Sequence, residues 1–261
     1  MAAFSFGQSA FIIDAKTEGR RLMRDPDENG WKTSAPAWIN RIGDEGDFSR
    51  QHVLDGPMLS RIASLKPQRA LDVGCGEGRF CRMLADIGVS ATGIDPIEAM
   101  IEQARRRHTD GDYRLGYAEN LPFKDDSFDV VVSYLSLIDV DFLDDAAQEM
   151  ARVLRPQGRL VIANLSSFAT SSAIFGKRSC QDTGEQLRPL GNYLKEEKSW
   201  LEWDGLRIQN WHRPLSTYMR AFLSAGLTLR CFDEPRPSGG PLETVQSYER
   251  MPYLMMMEWE K

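Results

Sequence analysis

Apolar positions in this chain follow two alternating rhythms. Short stretches with strand character fall at Ala70–Val73, Ser90–Ile94, Tyr113–Gly116, Phe128–Ser133 and Arg159–Asn164, the fourth of them nearly continuous in apolar residues. Between them apolar residues recur three and four positions apart, as in Met58, Leu59, Ile62 and Leu65, then Phe80, Met83, Leu84 and Ile87, then Ile97, Met100, Ile101 and Ala104. A longer set, Phe142 to Leu154 through Ala146, Ala147, Met150 and Val153, follows the same spacing. Runs without polar interruption suit strands covered on both faces. The three-and-four recurrence suits helices with one buried face. Their alternation, with short connections, predicts an α/β fold on a doubly wound, mostly parallel sheet. The ends carry their own signals. Asp55 as an N-cap, with Pro57 close behind, predicts the start of a helix within 49–65. Gly88 closes the Arg79–Ile87 helix, and Arg105-Arg106-Arg107-His108 closes the next, where cations favour the helix dipole by about 0.3–1 kcal/mol. Arg155-Pro156-Gln157-Gly158 predicts a turn before the fifth strand.

The two ends depart from this rhythm. Residues 1–66 read as an N-terminal helical extension or lid, with apolar Phe4, Phe6, Phe11, Ile12 and Ile13, a turn over Asp25–Gly30, and then Trp31 and Trp38. It is expected to pack on the domain, cover the active site or make a dimer contact. Residues 67–261 form the main domain, with a substrate-covering insertion over 165–213. Within it Ser166–Ser172 has helix potential, and Tyr193–Trp203 and Leu206–Trp211 predict a hairpin turning at Asp204-Gly205. Leu215, Tyr218, Met219, Phe222 and Leu223 predict a last helix stopped by Gly226. Strands are expected at Leu227–Phe232 and 252–259, the latter with Met255, Met256 and Met257 packing on both faces.

Composition narrows the function. A chain of 261 residues with 42% hydrophobic residues supports one globular domain with an extension. A net charge of −6 and a pI near 5.3 argue against a nucleic-acid surface. No apolar run approaches the roughly 20 residues of a membrane span, and the N-terminus lacks the pattern of a signal peptide. The four cysteines, Cys75, Cys81, Cys180 and Cys231, lack metal-ligand spacing and read as reduced thiols of a cytoplasmic protein. No metal is expected.

The chemistry concentrates at residues 70–81, where a strand runs into Gly74, Gly76 and Gly78 and then a helix. Such a turn lets a ligand approach bare main chain. The third glycine of a dinucleotide fingerprint would fall at position 79, which is Arg79. Asp72 and Glu77 flank the glycines, where a pyrophosphate would want bare N–H groups and no acid. Acids there suit a positively charged ligand, and S-adenosylmethionine has both a sulfonium and an ammonium group. Asp95, 19 residues after Gly76 at the end of the second strand, is placed to accept the hydroxyls of a ribose.

Four stretches in order, LDVGCGEGRF, GIDP, AENLPFKDDSFDVVVS and ARVLRPQGRLVIAN, resemble the class I S-adenosylmethionine-dependent methyltransferases of the small-molecule, type 11-like kind, over about residues 70–164. The resemblance implies a seven-stranded sheet with its last strand antiparallel between the fifth and sixth. It implies cofactor contacts from Asp72, Gly74, Cys75, Gly76 and Glu77. It also implies contacts from Asp95, Pro96, Ile97 and Met100, from Ala118, Glu119 and Leu121, and from Ser133 and Tyr134. S-adenosylhomocysteine would be the product. Tyr117 stands where relatives often carry an acid for the adenine amino group. The acceptor is expected to be a small molecule of apolar or aromatic character, held by Trp38, Tyr193, Trp200 and Trp211. His212, at the end of the hairpin, is the candidate base, though a lone histidine is often structural. No nucleic acid or membrane partner is expected, and a homodimer is possible. A non-catalytic binder of the cofactor, an aminopropyl transferase of the same fold and a nicotinamide oxidoreductase are the alternatives.

Overall fold

The computed structural model describes residues 29–173 and 189–261, and between them only the strands β6 (Arg178–Ser179) and β7 (Gln186–Leu187). The first 28 residues, with the apolar positions read there, and Cys180 lie outside the described residues.

The core is one sheet. Its strands are β1 (Arg69–Val73), β2 (Ser90–Asp95), β3 (Asp112–Leu115), β4 (Phe128–Tyr134), β5 (Leu154–Leu165), β10 (Thr228–Asp233) and β11 (Leu254–Glu260). They lie in the order β10-β11-β5-β4-β1-β2-β3. Only β11 is antiparallel, pairing with β5 on one side and β10 on the other, as the family resemblance implied. The strand order reverses between β1 and β4, which leaves a crevice at their carboxyl ends. Met255 and Met257 enter the apolar cluster on one face of the sheet and Met256 the cluster on the other.

Helices cover both faces: α1 (Trp31–Ile42), α2 (Asp55–Leu65), α3 (Arg79–Asp86), α4 (Glu98–Arg107), α5 (Leu143–Val153), α6 (Ser167–Ala173), α7 (Leu215–Ser224) and α8 (Leu242–Glu249). The helix expected over 49–65 exists but begins with a π-helical turn, Arg50–Leu54. Asp55 is therefore not its N-cap. It is buried inside the helical run, and its carboxylate serves another purpose described below. The turn expected at Arg155–Gly158 is absorbed into an irregular start of β5, with Gln157 at φ 65° and a register shift against β4. The hairpin forms from β8 (Glu197–Trp203) and β9 (Leu206–His212), turning through Asp204 and Gly205, both at positive φ. It packs under α1 and α6 rather than on the sheet edge.

Candidate active site

The glycine turn is shaped by the end of β2. The backbone N–H groups of Gly74 and Cys75 both donate to the Ile94 carbonyl, at 2.8 and 3.0 Å. Gly74 has φ 78°, and a Cβ there would lie 2.3 Å from that of Ser136, so no larger residue fits. Gly76 also has positive φ, but the space beside its Cα is open. Its backbone is one wall of a cavity.

Two carboxylates face the same place. Asp95 is fixed by main chain, accepting from Gly76 N and Ile97 N at 2.9 Å each. Burial pushes its pKa up to about 6 against those two bonds. Asp72 is almost fully buried. One of its oxygens accepts from the Cys81 thiol at 3.5 Å, and the other, Oδ1, has no partner. Burial raises its pKa to about 7, opposed by the Cys81 contact and reinforced by the nearby charges of Asp95 and Glu77. A buried carboxylate oxygen without a donor is costly by about 1–3 kcal/mol or more, and its natural complement is a cationic group of a ligand.

The cavity these groups share holds about 170 Å³ and lies at the carboxyl ends of β1, β2 and β4. Asp72, Gly74, Cys75, Gly76 and Glu77 border it from the glycine turn. Asp95, Pro96, Ile97 and Met100 border it from the β2–α4 junction. Ala118, Glu119 and Tyr134 complete this side, and Trp38 closes it from α1. The Glu77 carboxylate is already committed to Arg82 and Arg107, at 3.0 and 2.7 Å. Leu121 and Ser133 do not reach the cavity. Leu121 is in the core, and Ser133 bonds Ser136, whose hydroxyl joins the Val73 carbonyl.

The expected acceptor residues are dispersed. Trp200 is partly exposed under the Arg207 guanidinium. Trp211 donates to Asp141 and lies between Lys198 and Arg213. Tyr193 packs on Phe168 and His212. None of the three borders the cavity. Nor does His212, which is buried with Nε2 on the Tyr193 carbonyl at 2.9 Å and Nδ1 on the Thr170 hydroxyl at 2.8 Å. A carbonyl only accepts, so Nε2 carries a proton, and Nδ1 shares a hydrogen bond with the Thr170 hydroxyl. With both nitrogens engaged inside the insertion, this ring holds the hairpin to α6.

Trp38 and Tyr134, both expected from the sequence, border the cavity with several residues that have no local signature. Trp31 and Trp38 meet edge to face at 5.6 Å on α1, which lies across Ile97 and Met100. Arg50, from the π-helical turn, sits over the rings of Trp38 and Tyr134 and pairs with Asp47. Asp139 arrives from the loop after β4. Arg79, in the place of the missing third glycine, is locked by both nitrogens onto Asp55 and also donates to the Asp44 and Glu45 carbonyls. Tyr134 donates to the same Asp55 at 2.7 Å. Burial and that carboxylate push its phenol pKa far up.

The donor set fits S-adenosylmethionine: a bare oxygen of Asp72 for a cation, a main-chain-fixed Asp95 for a ribose diol, and open main chain at Gly76 between them. A pyrophosphate beside two buried carboxylates does not fit. Fold and site together point to one class, for the sheet has the strand order of the class I S-adenosylmethionine-dependent methyltransferase fold. Residues 71–162 match the family model described as a methyltransferase domain. A demethylmenaquinone methyltransferase of Renibacterium salmoninarum is 36% identical over 109 residues, 42% of this chain and 46% of that protein. The methyltransferase GfsG of Streptomyces halstedii is 35% identical over 169 residues, 60% of this chain and 59% of that one. The chain spans about half the length of the curated relatives it matches. Among solved structures, an S-adenosylmethionine-dependent methyltransferase of Mesorhizobium loti shares the fold, with TM-score 0.73 and 23% identity over 84% of this chain and all of that one.

Proposed function

We propose that this protein transfers the methyl group of S-adenosylmethionine to a small-molecule acceptor. The observation that carries the reading is the pairing, in one cavity, of an unpartnered Asp72 oxygen with an Asp95 carboxylate aimed by two backbone N–H groups. The cofactor, when bound, supplies an already electrophilic methyl. The chain therefore has three tasks: to hold the sulfonium compound, to present the acceptor in line, and to exclude water. Asp72 would meet the ammonium, Asp95 the ribose hydroxyls, and Ile97 and Met100 the adenine. The α1 helix, with Trp31 and Trp38, would shield that pocket from solvent. The acidic turn and the locked Arg79 weigh against a nicotinamide dinucleotide. Calorimetric titration with S-adenosylhomocysteine, followed by release of that product from S-adenosylmethionine over an acceptor panel, tests the reading. Binding without turnover of any acceptor would support a cofactor-binding protein instead, and binding of NADH in place of both compounds would overturn the assignment.

A further inference from the structure

We propose that Asp139 is the acceptor-facing carboxylate of this site, that it takes the proton from a hydroxyl acceptor during methyl transfer, and that the inserted hairpin exists to hold it there. This rests on the methyl-transfer reading. Asp139 borders the same cavity as Asp72 and Asp95. It stands at the close of a tight turn after β4, with Leu135 at φ 56° and Asp139 N donating to the Ser136 carbonyl at 2.9 Å.

The loop that carries it is gripped from one side by the end of β9. Trp211 N donates to the Ile138 carbonyl at 2.8 Å. The buried Arg213 guanidinium donates to the carbonyls of Leu137, Val140 and Asp141. The Asp141 carboxylate accepts from the Trp211 indole and pairs with Lys198. At the centre of this bracket Asn210 Nδ2 donates to Asp139 Oδ1 at 2.7 Å. The buried indole N–H of Trp31 lies beside Asp139 without closing a hydrogen bond of ordinary geometry. An indole N–H and a carboxylate side by side on the cavity wall are the complement of a hydroxyl, which can accept from the one and donate to the other.

Its proton affinity suits the task. Burial pushes the Asp139 pKa up to about 7, opposed by the neighbouring Trp31 and Asn210 donors and reinforced by Asp95 and Asp141. Lys198 and Arg213 stand on the hairpin side, and Glu119 and Arg50 border the same cavity. A base titrating near neutrality is well matched to general-base work. In the step, the bond from the acceptor oxygen to the methyl carbon forms as the carbon–sulfur bond breaks. The electron pair of the broken bond stays on sulfur, and the hydroxyl proton passes to Asp139 and on to solvent.

The test uses the full chain with phenol, catechol, 1-naphthol and cyclohexanol as hydroxyl probes and dimethylamine as a comparison, and it follows S-adenosylhomocysteine release from about pH 5 to 9. The expected result is turnover of at least one hydroxyl probe, with kcat rising through about pH 7. Asp139→Asn should lower kcat at least a hundredfold while S-adenosylhomocysteine affinity stays within about twofold. Asn210→Ala should move the pH midpoint upward, because a carboxylate that loses a donor holds its proton more tightly. A protein that binds S-adenosylhomocysteine yet turns over only the amine, or no probe, overturns the proposal. So does Asp139→Asn with near wild-type kcat, or Asn210→Ala with an unmoved profile. A protein that does not bind S-adenosylhomocysteine at all removes the methyl-transfer reading itself.

Discussion

Asp72 shows at the level of one residue how a ligand site is held against folding. Its carboxyl titrates near 7 in the folded chain against an ordinary 3.8, so the folded state binds this proton more tightly than the unfolded chain. The stability it contributes is full below about pH 4 and is lost as pH rises through about 7. At about 1.4 kcal/mol per pH unit the loss amounts to about 4 kcal/mol. Asp72→Asn keeps the shape and removes the charge. The ligand-free variant should melt several degrees above wild type at pH 8 and close to it at pH 4, while binding S-adenosylmethionine more weakly. Thermal melts at the two pH values check this, and an equal change at both would refute the buried-charge account. Asp95 makes the complementary case. Hydrogen bonds to a charged group contribute about 1.5–3 kcal/mol, so Asp95→Ala should weaken S-adenosylhomocysteine binding at least tenfold by calorimetry. Both carboxylates could be read from the chain, because each ends an apolar run at a predictable edge. Asp139 could not. Its neighbours in sequence are apolar, and only the hairpin from 70 residues further on turns it into a constrained group.

At the scale of elements, the unexpected work is done by polar residues that tie helices to the sheet. Arg79 at the start of α3 joins Asp55 in α2 and the backbone at 44–45, and through Asp55 it reaches Tyr134 at the end of β4. Removing the cation strands a buried carboxylate, which costs about 3–5 kcal/mol. Arg79→Ala should therefore lower the unfolding free energy by that order in a denaturant titration, and Arg79→Lys should recover only part of it, since an ammonium cannot make the bidentate fork. The alternation of strands and helices was plain in the sequence because each element buries a continuous stripe or run. The sequence around Asp55 suggests a helix cap, because acids favour that position. The π-helical turn before it, which moves it inside the helical run, has no local signal. The hairpin is legible in the sequence from its Asp204-Gly205 turn. That Trp200 and Trp211 meet Arg207, Lys198, Arg213 and Asp141 and stand outside the cavity depends on the packing of α1 and α6 around the hairpin.

At the scale of the whole molecule, a ligand that fills the cavity joins parts far apart in the chain: the α1 helix, the glycine turn, the β2 end and the loop after β4. Binding to the folded state alone stabilises it by about 2.7 kcal/mol at a hundredfold excess over Kd. S-adenosylhomocysteine at that excess should accordingly raise the melting temperature by several degrees, and Asp95→Ala should need a higher concentration for the same shift. An unchanged melting curve at millimolar ligand would argue against any such site.

The sequence by itself determined the sheet, its order as a doubly wound unit and the acidic glycine turn at its edge. Those features depend on residues near one another, through periodicity, backbone freedom at glycine and charge beside a strand end. Tertiary structure alone decided that Trp31 joins Trp38 at the cavity while Trp200 and Trp211 do not, that His212 is consumed in holding the insertion, and that Asp139 stands against the ligand space. Each of these depends on contacts between segments separated by tens of residues, and no local rule of spacing or propensity encodes which of them will meet.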